Sequence, residues 1–268
     1  MKEDCGKKIK GAEQRFAGYH LPGAKTVVVF VHGIVEGPAL FQPLVQETIK
    51  RGYSAVNLLL PGHGSDGRAF AQSGMRQWQD YVDGAVRHLR RRYPHLVLVG
   101  HSMGGLLALE CVRKMENGAD GVFALNLPLW LRVKGKGILE GYKASSGRIE
   151  PEDESARAAL AAYSVRDVRP LCYLRWLPRY RELFRLCRST RRQLEKFFMP
   201  VCVVQSLEDE FVDYRTAERL KWIRPDWQVE MLENSGHFYY SPKDFCRIKT
   251  YLFTFIEMVI NTKQKNQF

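Results

Sequence analysis

The stretch that most constrains this chain is Leu96-Val97-Leu98-Val99-Gly100-His101-Ser102-Met103-Gly104-Gly105-Leu106. Its first four residues have the length and composition of a buried strand, and Leu106-Leu107-Ala108-Leu109-Glu110-Cys111-Val112 reads as a helix start. Between them stands a serine with Gly100 and Gly104 two positions to either side. A strand that passes so abruptly into a helix crowds its own backbone, and glycine tolerates that crowding where a Cβ does not. The turn lifts the Ser102 hydroxyl above the sheet, at a helix N-terminus whose free N–H groups favour developing negative charge. A plain strand-helix turn would leave the same five residues. The rest of the chain must therefore supply a base, an acid and an oxyanion site.

Other apolar runs repeat the pattern. Residues 26–31, 54–60, 121–126 and 201–206 read as buried strands, with a shorter one at 229–232 and an early edge strand within 14–19. Helical spacing predicts helices over about 37–51, 75–93, 106–115, 214–223 and 242–261, before a polar tail at 263–268. Strands apolar on both faces and separated by helices predict a mostly parallel α/β sheet covered on both sides. Such sheets place their sites at the carboxyl ends of the strands. From Pro128 to about Met199 the alternation breaks. Gly135 to Gly141 reads as a hinge, Glu150-Pro151-Glu152-Asp153-Glu154 as an acid-rich helix start, and 171–198 as dense in arginine and aromatics. This predicts a core of residues 1–128 and 199–268, with a small helical cap, 129–198, inserted before the strand at 201–206.

At 268 residues and 45% hydrophobic, the chain can bury a core without disulfides or metals. Its six cysteines are scattered, with no Cys-x-x-Cys or zinc-like spacing, as in a reducing compartment. Residues 1–11 are polar and expected to be loose, with no signal-peptide pattern, and no apolar run reaches the ~20 residues of a membrane span. The expectation is a cytoplasmic protein without stable membrane insertion. The net charge of +12 is regional: residues 131–197 hold sixteen Lys and Arg against eight Asp and Glu, which is +8 of the total. A solvated helical face is the simpler reading of that excess, ahead of a nucleic-acid site.

A serine hydroxyl needs a base, and histidine is the usual one. Of seven histidines, His20, His88 and His95 lie away from any chemistry, and His101 would point away from the serine. His32 and His63 sit on strand-end loops and stay open as alternatives, with turn packing as the plainer role. His237, in Glu233-Asn234-Ser235-Gly236-His237, follows the last strand and returns to the sheet's carboxyl edge. The loop after 201–206 offers Glu208, Asp209, Glu210 and Asp213 as the acid that orients the imidazole, with Asp209 preferred. Backbone donors for an oxyanion are expected from Met103 and from the loop His32-Gly33-Ile34, at Ile34. His32, Gly33 and His101 are assigned to the substrate-binding loops.

These segments together resemble the α/β-hydrolase superfamily, and within it the carboxylesterase and monoacylglycerol-lipase-like serine hydrolases. The resemblance rests on Val29-Phe30-Val31-His32-Gly33, Leu60-Pro61-Gly62-His63-Gly64, Gly100-His101-Ser102-Met103-Gly104-Gly105, Ser206-Leu207-Glu208-Asp209-Glu210-Phe211-Val212 and Ser235-Gly236-His237, in that order. It covers about 26–128 and 199–260. It implies Ser102 as nucleophile, His237 as base, Asp209 as its orienter, and Ile34 with Met103 as oxyanion donors. A serine at the turn separates this chain from related hydrolases that use aspartate there. The arginine-rich cap departs from any pattern that would name a substrate.

The expected activity is hydrolysis of a small-molecule carboxylic ester, a short-to-medium acyl ester or a monoacylglycerol, with no cofactor and no metal. Acyl-CoA thioesterase or acyltransferase chemistry is the alternative, suited to a basic cap over anionic substrates. A non-catalytic binding protein of the same fold is the remote one. Peripheral membrane contact and oligomeric state are left open.

Overall fold

The computed structural model describes residues 14–115, 118–135, 137, 153–165 and 170–265. Among them seven strands form one sheet in the order β1-β3-β2-β4-β5-β6-β7. The strands are β1 (Ala17–Tyr19), β2 (Thr26–Val31), β3 (Ser54–Asn57), β4 (His95–His101), β5 (Gly121–Leu125), β6 (Val201–Ser206) and β7 (Gln228–Leu232). β1 runs antiparallel to β3; all other pairings are parallel. The predicted α/β architecture is the one observed.

Strand composition explains the layering. Successive residues of β2 face opposite sides of the sheet, so Val27, Val29 and Val31 enter one core while Val28 and Phe30 enter the other. All six residues of β2 are buried. Helices α1 (Gln42–Lys50) and α8 (Pro242–Lys265) cover the second face through Leu44, Val45, Ile248, Leu252, Phe255 and Ile256. Helices α3 (Met75–Arg90), α4 (Met103–Lys114) and α7 (Arg215–Ile223) cover the first through Trp78, Val82, Leu106, Leu109 and Leu220. Each such aliphatic side chain, fully buried, contributes about 1.5–3 kcal/mol.

Element ends shift by a few residues for identifiable reasons. The predicted helix at 37–51 opens as a 3₁₀ turn, Pro38–Phe41, before α1, whose first turn accommodates Pro43. A short helix absent from the expectations, α2 (Gly67–Gln72), is capped by Asp66 Oδ1, which accepts from the N–H groups of Arg68 and Ala69.

Between β5 and β6 the structure describes α5 (Glu154–Ala162) and α6 (Pro170–Arg191). Asp153 caps α5 by accepting from the Ala156 N–H, inside the predicted acid-rich start. Trp176, Leu183, Leu186 and Cys187 of α6 join the core on the α3–α4 side of the sheet. The expectations for residues 1–11, for most of the hinge at 135–141 and for 266–268 lie outside the described residues.

Candidate active site

β4 delivers Ser102 to the carboxyl edge of the sheet. Ser102 caps α4 with φ 50° and ψ −122°, a backbone that side-chain-bearing residues rarely adopt. Its N–H donates to the Leu125 carbonyl at 2.9 Å, which pins the turn to the end of β5. The flanking glycines have steric causes. A Cβ at Gly104 would overlap the Val31 carbonyl of β2, and one at Gly100 would overlap the Gly104–Gly105 backbone. Met103 begins α4, so its N–H belongs to the first turn, where helical N–H groups lack an intrahelical acceptor.

His237 lies on the loop between β7 and α8 and is buried. Its Nδ1–H donates to Oδ2 of Asp209 at 2.8 Å. Asp209 is itself buried, and its Oδ1 accepts from the N–H groups of Phe211 and Val212, both at 2.8 Å. Of the four acids on that loop, Asp209 is the one against the ring. Asp213 turns instead to the Arg215 N–H, and Glu210 accepts the backbone N–H of His237 at 2.8 Å. Burial, the largest influence on His237, disfavours its charged form. The Asp209 charge and hydrogen bond, with Glu36 and Glu210 nearby, outweigh it and hold the imidazole pKa above its ordinary value.

The loop after β2 places Glu36 beneath these groups. Glu36 is buried; Oε2 accepts from the Gly33 N–H at 2.6 Å and lies 2.8 Å from Nδ1 of His101. Oε1 is 4.0 Å from Nε2 of His237. His101 Nε2 donates to the His237 carbonyl at 2.9 Å. Because a carbonyl only accepts, that nitrogen carries hydrogen. A Cβ at Gly33 would run into the Glu36 carboxylate, which accounts for the glycine after His32.

Two substrate-facing assignments are corrected by this packing. His101 is fully buried and occupied at both ring nitrogens, so it presents nothing to a substrate. His32 is also fully buried: Nε2 accepts the Leu60 N–H at 3.0 Å, and Nδ1–H donates to the Gly33 carbonyl at 2.9 Å. Burial lowers its pKa to about 4, so at neutral pH it is an uncharged brace between two loops. Gly33 spends its N–H on Glu36 and so is not the free donor of that loop. His63, left open as a base, is likewise buried and held neutral, packed on His32, Phe70 and Trp78.

Residues 28–247 match the model of the alpha/beta hydrolase family. The chain belongs to that family. Among its relatives, it is 30% identical over 217 residues to phospholipase YtpA of Bacillus subtilis (strain 168), covering 73% of this chain and 80% of that one. It is 26% identical to the thermostable monoacylglycerol lipase of Bacillus sp. (strain H-257), over 78% and 79% of the two chains. In three dimensions it shares its fold with a metagenome-derived lipolytic enzyme of the LipS and LipT pair. The TM-score is 0.72 at 20% identity, over 93% of this chain and all of that one.

Within the alpha/beta-hydrolase frame, three positions escaped sequence reasoning. Glu36 is one. Glu210 was weighed only as an orienting acid. Asn126, at φ 49°, is the third: its Oδ1 accepts the Ser206 N–H at 2.9 Å, and its Nδ2 donates to the Gly236 and His237 carbonyls at 3.2 Å. It thereby ties the ends of β5 and β6 to the histidine loop. The signal available for it was positional, a polar residue closing an otherwise apolar strand. Glu36, His101 and His237 also bring donor atoms within 4.8 Å of one another. Both His101 nitrogens and His237 Nδ1 are already engaged, which reads as a hydrogen-bond network rather than a metal cage.

Proposed function

We propose that the chain is a serine esterase of small acyl substrates, acting through an acyl-enzyme on Ser102. His237 removes the hydroxyl proton, returns it to the leaving alcohol, and then activates the water that releases the acid. Asp209 keeps the hydrogen on Nδ1, which leaves Nε2 free to act as base. The Ile34 and Met103 N–H groups receive the oxyanion. The observation that carries the reading is the 2.8 Å Asp209–His237 bond, on a loop held to the residue next to a serine on a strained, glycine-flanked turn. The bond from His101, the residue preceding Ser102, to the His237 carbonyl joins the two halves.

Short-to-medium acyl esters or monoacylglycerols are the favoured substrates. Two relatives, a phospholipase and a monoacylglycerol lipase, support acyl glycerol chemistry. Residues 129–198 act in this reading as a cap bearing on substrate choice. The arginines of that segment favour one second reading, an acyl-CoA thioesterase or acyltransferase. The buried free thiols Cys111, Cys187 and Cys202 support a reducing, cytoplasmic setting.

Competition in one assay discriminates. Monoacylglycerols, p-nitrophenyl esters of graded chain length and acyl-CoA are offered together, at low and high salt. Preferential release from the glyceryl or p-nitrophenyl esters with a salt-independent KM supports the esterase. Preference for acyl-CoA with a KM that rises with salt supports the second reading instead. No turnover of any of them by folded protein contradicts both.

A further inference from the structure

α6 is an anchored helix with an unusual outer face. Trp176 Nε1–H donates to the Gly67 carbonyl at 2.9 Å, and Arg179 donates to the Ser73 carbonyl, which fixes the first half against α2. Thr190 donates to Glu110 of α4 at 3.2 Å and fixes the second half. With Trp176, Leu183, Leu186 and Cys187 buried against the core, the opposite side of the helix must face outward.

That outward side carries Leu174, Leu177 and Phe184, which are 62%, 48% and 47% exposed. Arg175, Arg181, Arg185 and Arg188 are exposed among them, and no carboxylate of the described residues pairs with these four. The helix's acid, Glu182, is spent inward on Arg179 and on the Met75 N–H. Water is a poor partner for three large apolar side chains, and a polyanion such as RNA gives them nothing to enter. A bilayer with anionic headgroups satisfies both kinds of residue at once: phosphates meet the guanidinium groups while leucine and phenylalanine pass into the acyl boundary. At 22 residues, about 33 Å long, the helix can lie along such a surface. Its first half abuts α2, which follows the carboxyl end of β3, on the same sheet edge as Ser102.

We propose that α6 docks this protein onto anionic lipid bilayers, with Leu174, Leu177 and Phe184 inserted and Arg175, Arg181, Arg185 and Arg188 at the headgroups. The test is co-sedimentation of the full chain with vesicles of phosphatidylcholine alone or equimolar with phosphatidylglycerol. It involves no turnover, so it reports on docking whether or not Ser102 is acylated. The wild type is expected to bind the phosphatidylglycerol vesicles at least about tenfold more tightly than the neutral ones. Arg181→Glu/Arg185→Glu/Arg188→Glu should abolish that preference, and Leu177→Ser/Phe184→Ser should weaken binding at least about threefold. Both sets are exposed, and unchanged urea midpoints would establish that the variants fold. Equal binding to the two vesicle types, or none, overturns the proposal. So does a Leu177→Ser/Phe184→Ser variant that binds as the wild type, which would leave only a site for polyanions. A wild type that dimerises in solution, and is made monomeric by that same pair, assigns the face to a second copy and also overturns it.

Discussion

Oε1 of Glu36 lies 4.0 Å from Nε2 of His237, across the imidazole from the Asp209 carboxylate bound to Nδ1. The ring is thus held between two buried acids, and a third, Glu210, accepts its backbone N–H. Together they keep its pKa raised in spite of burial. The base works only when neutral, so activity should fall as pH drops through that raised value.

Glu36→Gln removes one negative neighbour while preserving shape. The acid limb of the kcat/KM profile should move to lower pH. With the clamp on Gly33 and His101 weakened, kcat/KM at its optimum should fall about tenfold to a hundredfold. A variant with the wild-type profile and rate would remove Glu36 from the account.

Asn126 joins three loops from one buried side chain. Asn126→Ala strips those partners of their bonds and puts a Cβ-bearing residue without local compensation at positive φ. It should cost about 2–4 kcal/mol in urea unfolding, with Asn126→Gly about 1 kcal/mol less harmful. Equal losses in the two variants would show that backbone conformation contributes nothing there.

Two glycines in helices should respond oppositely to alanine. Gly84, mid-way along α3, has open space where a Cβ would go, so Gly84→Ala should stabilise by about 0.8–1 kcal/mol. Gly104→Ala would force a methyl into the Val31 carbonyl and should cost more than about 3 kcal/mol or prevent folding. Thermal or urea midpoints of the pair decide it.

His32 makes stability depend on pH with a definite sign. Its folded pKa, about 4, lies below its ordinary 6.5, so the unfolded chain binds this proton first. The contribution is complete above 6.5 and is lost as pH falls through 4, roughly 3 kcal/mol in all. Urea unfolding at pH 7, 5.5 and 4 should show the loss, and His32→Gln should flatten it.

Local chemistry explains how much could be read beforehand. The sheet was legible because β2, β4, β5 and β6 are buried on both faces, which leaves an unbroken apolar run in the sequence. Gly100 and Gly104 stand where any side chain would collide with backbone, so the turn announces itself. Asp209 could be preferred over Asp213 but not separated from it, since both are acids on one loop and only the fold decides which meets His237. Glu36 was illegible because its partners come from 65 residues away at His101 and from the far end of the chain at His237. For the same reason His32 and His101 were given to the substrate, although each spends its ring inside the protein.

Fluorophosphonate labelling read by mass spectrometry tests the central claim most directly, because it reports a nucleophilic serine without knowledge of the substrate. Folded wild-type protein should take up one label on the peptide carrying Ser102, and Ser102→Ala none. Labelling of His237→Ala should be nearly lost, and that of Asp209→Asn slowed by about four orders of magnitude, while Asp213→Asn should label at about the wild-type rate. Folded wild-type protein that stays unlabelled, or that labels at a residue other than Ser102, would contradict it.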